Sequence, residues 1–145
     1  MQTKTKAPLI AAFALTLAGL GAPALAASQD EINATLAADA SIWSGLFALA
    51  VADEIRNNCP TMEARTVRAT TFVYGLYSQA RDYGFSRAEI RAFQTADSTE
   101  ARMRSEVMAY FGQRGVREGQ PDTYCALGQA EIAAGSQAGE LLRAR

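Results

Sequence analysis

The sequence predicts an all-α protein: a single small helical bundle of about five helices, with one disulfide joining the starts of the central and last helices. Three observations carry this. Apolar residues recur in steps of four and three from Met62 through Thr66, Ala69, Val73, Leu76 and Ala80 to Tyr83, the spacing of one helix face. Helix-start signals recur along the chain, and no stretch alternates long enough to suggest a strand. Of two cysteines, Cys59 immediately precedes Pro60 at the start of the central helix, and Cys125 lies in the first turns of the last helix, which Pro121 opens.

Residues 1–26 read as an export signal. Lys4 and Lys6 open it, an apolar run from Leu9 to Leu20 follows, and Ala24-Leu25-Ala26 is a small-x-small cleavage site. Cleavage is expected after Ala26. The run is shorter than the roughly 20 residues of a spanning helix, so the mature chain is expected to have no membrane span. It would be periplasmic or secreted. Removing 26 of 145 residues leaves 119, which bounds residues 27–145 at one domain with a modest core.

Ser28 and Glu31 form a capping box ahead of a helix through Ile32 and Leu36, which Asp39 to Ser41 is expected to interrupt. From Ile42 to Ile55 the chain is densely apolar, and Asn57 and Asn58 end that helix. Pro60 then suits the first turn of the central helix, where a missing N–H costs nothing. The oblique row Val67, Tyr74 and Tyr77 widens that helix's apolar arc, so neighbours are expected on most sides of it. At Gly75 the cost in helix propensity, roughly 1 kcal/mol, suggests a close backbone neighbour.

Ser86 and Glu89 make a second capping box, flanked by Phe85 and Ile90 as a hydrophobic staple, with the helix ending near Gln94. Asp97 and Glu100 offer a third box for a helix through Met103, Val107 and Phe111, with Glu100 and Arg104 as an i, i+4 pair. Pro121 opens a last helix towards Leu142. Its seam of Cys125, Gly128, Ile132, Gly135, Gly139 and Leu142 is poor in bulk and suits close packing.

Chemistry is limited by what is missing. The chain has no His, and loss of Lys4 and Lys6 from the 14 basic residues leaves 12 arginines against 15 acids, a charge of −3. The usual bases of serine, cysteine and threonine hydrolases are then gone. Nucleic acid is not an expected partner. No cofactor or metal motif stands in the sequence, so no catalytic, cofactor-binding or metal residue is assigned. Export and an even cysteine count predict a Cys59–Cys125 bridge. Among the acids, Asp53, Glu54, Glu63 and Glu131 are the candidates for a glycan-hydrolysing pair, and no spacing singles two of them out.

If both helices start from the bridge, Arg65 and Glu131 lie level, six residues on, about 9 Å along each helix. Glu131 is therefore expected to pair with Arg65, or with Arg68 a turn later.

The runs NNCPTMEARTVRATTFVYGLYSQARDYGFSRAEI, ADSTEARMRSEVMAYF and YCALGQAEIAAGSQAGELL resemble a family of small exported bacterial proteins with two cysteines, a domain of unknown function. The resemblance implies export and a helical domain, and transfers no catalytic residue. Genes of such proteins can lie beside those of the respiratory NADH dehydrogenase, which implies an accessory role at a membrane complex. The leading expectation is a non-enzymatic periplasmic interaction or accessory protein with a protein partner. A small carboxylate glycan hydrolase and a periplasmic stress chaperone are the rivals.

Overall fold

A computed structural model describes residues 26–145. The expected signal, residues 1–26, lies outside the described residues except for Ala26. Helix α1 spans Gln29–Ala38, started by the Ser28/Glu31 capping box, and α2 spans Ala40–Asn58. Asp39 separates them. It closes α1 through its own N–H to the Thr35 carbonyl, and its carboxylate accepts from the Ser41 and Ile42 N–H groups at 2.9 and 3.0 Å. The two helices consequently meet at a bend of 81°.

Those N–H bonds, led by Ile42 and joined by the Tyr83 hydroxyl at 2.7 Å, pull the Asp39 carboxyl from 3.8 down to about 2. A depressed acid contributes stability that is present above its unfolded value and lost as pH falls through its folded one. Asp39→Asn keeps a capping oxygen without the charge. We expect this variant to lose less melting temperature than the parent between pH 5 and pH 2. Equal losses in scanning calorimetry would show that Asp39 is not a source of the acid sensitivity.

Strand β1 spans Met62–Ala64, α3 Thr66–Asp82, α4 Arg87–Gln94, α5 Asp97–Gln113, α6 Pro121–Ala134, α7 Gln137–Glu140 and β2 Leu142–Ala144. The fold is all-α but for the two short strands, which pair antiparallel with Glu63 opposite Arg143. Here the structure corrects the expected start of the central helix. Cys59 precedes proline, which disfavours helical backbone, and it takes an extended conformation as the C-cap of α2. Met62 then enters the core, 1% exposed.

Helix α2, not α3, is the element that the others surround. Its first half packs Ile42 and Trp43 against Ile32 and Leu36 of α1, Ala80 of α3 and Phe93 of α4. Its second half packs Val51, Ala52 and Ile55 against Val107 and Phe111 of α5 and Tyr124 and Leu127 of α6. Gly45 lets α3 approach: a Cβ there would lie 2.4 Å from Leu76 Cδ2. Gly75, by contrast, faces open space. Trp43 also donates its indole N–H to Glu106 at 2.7 Å, with the Arg102 guanidinium 3.8 Å above its ring.

The Ser86/Glu89 capping box forms as expected, while α5 is capped by Ala96 without a side-chain bond, leaving Asp97 inside the first turn. Arg102 and Glu106 form the i, i+4 pair on that helix, at 2.8 Å, two residues on from the expected Glu100 and Arg104 and in the opposite order of charge. Helix α6 ends where Gly135 adopts left-handed backbone, φ 61°, so the expected long last helix breaks before α7. Part of the small seam packs closely, at Gly128 and Gly139, while Ile132 and Gly135 are exposed. A Cβ on Gly128 would sit 2.8 Å from Ile55 Cγ2, and one on Gly139 only 2.1 Å from the Glu131 carbonyl oxygen.

Candidate functional site

Cys59 and Cys125 are bridged, with Cα atoms 5.1 Å apart. Because Cys59 ends α2, the bridge joins the end of that helix to the first turns of α6 and not the starts of the central and last helices. The levelling of Arg65 with Glu131 fails for the same reason. Arg65 stands between β1 and α3, where its N–H donates to the Leu141 carbonyl at 2.8 Å. Arg68 meets Glu140 at 3.4 Å, and Glu131 meets Arg114, the residue that caps the end of α5, at 3.8 Å.

Glu131 does face inward, with its side chain 5% exposed. Its two carboxylate oxygens accept from the Tyr110 and Ser136 hydroxyls. Ser136 Oγ in turn accepts from the Gly139 N–H at 3.0 Å, closing the turn from α6 into α7. Burial and then the bond to Glu131 push the Tyr110 phenol up to about 12, so it stays a donor throughout the physiological range. Every hydroxyl in this cluster is already committed to a bond. It fixes α5, α6 and α7 to one another.

The remaining candidate acids separate. Asp53 and Glu54 line a cleft of about 400 Å³ between α2 and α5, together with Glu100 and Arg104. Asp53 is held by Arg56 at 2.5 Å and Glu54 by Asn58 at 3.0 Å. Glu63 instead holds Arg143 and Arg145 at 2.6 and 3.4 Å. Among the described residues no group of three or more Cys, Asp or Glu could hold a metal ion.

The surface that the sequence reading missed is the outer side of α3. Leu76 and Ala80 are buried as the seam predicts, but Thr66 and Tyr83 of that seam are exposed; of the oblique row Tyr77 packs on the core while Val67 and Tyr74 turn outward, 82% and 70% exposed. Val73, 44% exposed, lies beside them. This ridge separates two grooves. One, of about 510 Å³, runs between α2, α3 and α4 and is lined by Leu46, Val73, Tyr74, Tyr77, Arg87 and Arg91 among others. The other, of about 690 Å³, is lined by Arg65, Val67, Arg68, Phe72, Glu140 and Arg143 among others. The signal available in sequence was the excess width of the apolar arc on α3, which is more than one core can cover.

Among the described residues no single helix is long and apolar enough to cross a membrane. No curated protein and no solved structure matches this chain. Over residues 34–143 the chain matches a family of unknown function, DUF5333, and it belongs to that family.

Proposed function

We propose that this is a non-enzymatic interaction or accessory protein of the bacterial cell envelope, exported to the periplasm by cleavage near Ala26. Its partner is a protein, and a membrane respiratory complex is the setting we favour. One observation carries the reading: Val67, Val73 and Tyr74 stand exposed on one helix, Val67 on the lining of one groove and Val73 and Tyr74 on that of another. Large apolar side chains left exposed together on one helix and rimmed by polar residues mark interaction sites. The committed bonds of Glu131 and its hydroxyls support it from the other side, since they leave no group there poised for catalysis.

A photo-crosslinking residue at Tyr74, in cells exporting the full chain, tests this directly. The expected result is a discrete protein adduct at position 74 and none at Ala130, which is exposed on α6. A second reading, the carboxylate hydrolase, draws on Asp53, Glu54 and Glu100 sharing one cleft. Absence of any adduct together with turnover of a cell-wall glycan, abolished by Asp53→Asn or Glu54→Gln, would replace the first reading with the second. Holdase activity at low pH without a discrete adduct would favour the chaperone instead.

A further inference from the structure

We infer that the α3 face binds an acidic amphipathic segment of a partner protein, laid along the Val67–Tyr74 ridge with apolar side chains in the flanking grooves. The inference rests on the interaction reading above and names the chemistry of the partner.

Charge segregation is the first ground. Without Lys4 and Lys6 the chain carries 12 arginines against 15 acids, so an average patch should be slightly negative. The two grooves beside α3 reverse this. Arg65, Arg68 and Arg143 line one and Arg87 and Arg91 the other, while Glu140 is the one acid lining either. Arg68 is offset by that glutamate, and Arg143 by Glu63. Arg65, Arg87 and Arg91 stand outside the ion pairs of the described residues. A partner with carboxylates on both flanks would meet them, and such complementarity sets orientation and encounter rate.

Shape is the second ground. The ridge residues Val67 and Tyr74 are seven apart, two turns of helix, with Tyr74 lining one groove and Val67 the other. A helix or extended segment can place apolar anchors at matching intervals in such grooves. Arg87 already lies 5.8 Å from the Tyr77 ring centroid, so its guanidinium has an aromatic backing from which to meet a carboxylate. A second copy of this chain is a poor occupant. A two-fold interface would set this face against itself and bring arginine to arginine. An anionic bilayer meets the charge but presents no side chains to fill two grooves.

The test is the Tyr74 crosslink in the full exported chain, with the crosslinked peptide sequenced by mass spectrometry. The parallel variants are Arg65→Glu/Arg87→Glu/Arg91→Glu and the same three positions changed to Lys. All three side chains are exposed, and circular dichroism checks that each variant folds. The expected result is a segment rich in Asp and Glu, an adduct yield reduced about tenfold by the glutamates, and a yield largely kept by the lysines. That tenfold corresponds to about 1.4 kcal/mol over three rim charges. A neutral or basic segment, or a yield unchanged by charge reversal, overturns the inference while leaving the interaction reading standing. No protein adduct at all overturns both. A lipid adduct, with flotation on phosphatidylglycerol vesicles, assigns the face to the membrane and overturns the acidic-protein partner.

Discussion

Replacing Cys59 and Cys125 together with alanine is expected to lower stability by about 4 kcal/mol. The bridge closes a separation of 66 residues, and the chain-entropy cost of an open loop that long gives this size. The enclosed segment contains β1, α3, α4 and α5, just over half of the described chain. For a domain of this length the melting temperature should fall by roughly 15 °C. Cys59 is 1% exposed and packs in the α2–α5–α6 core, so alanine at both positions avoids both a buried thiol and mispairing. Thermal melts of the double variant and of reduced parent protein should agree. A loss under about 1 kcal/mol would mean that the unfolded loop is already constrained by residual structure, and would set the entropy account aside.

Local signals were readable because their physics is local. Ser28 with Glu31 and Ser86 with Glu89 satisfy one another's backbone donors within three residues, and both boxes form. Pro121 opens α6, and the single possible cysteine pair is bridged. The failures depend on distant neighbours. Met62–Ala64 is extended because Leu142–Ala144 lies beside it, and the Glu63–Arg143 contact spans 80 residues that no local period reports. Helix α3 has the wider apolar arc, yet α2, built from small residues such as Gly45, Ala48 and Ala52, is the one that admits helices on all sides. Apolar width says how much surface wants covering, not whether this chain covers it. On α3 it does not, and the uncovered part is the candidate site.

Glu131 shows the same division within one residue. That it pairs was expected from its place on the last helix, whereas its partners depended on how α5 sits against α6. Glu131→Ala is expected to cost about 2 kcal/mol, because it leaves the half-buried Tyr110 and Ser136 hydroxyls without their shared acceptor. The Tyr110 ring is held in place edge-on against Phe47 at 5.4 Å, which keeps its hydroxyl beside Glu131. Arg114 differs: it is 52% exposed and loses little when its carboxylate goes. The double-mutant cycles should therefore separate. Tyr110→Phe should couple to Glu131→Ala by at least about 1 kcal/mol, and Arg114→Ala by less than about 0.5 kcal/mol. Glu131→Gln, which keeps one acceptor and gains a donor for Ser136, should cost less than alanine. Urea melts measure all of these. Strong coupling to Arg114 with none to Tyr110 would show that charge, and not the pair of hydroxyl bonds, holds this corner together.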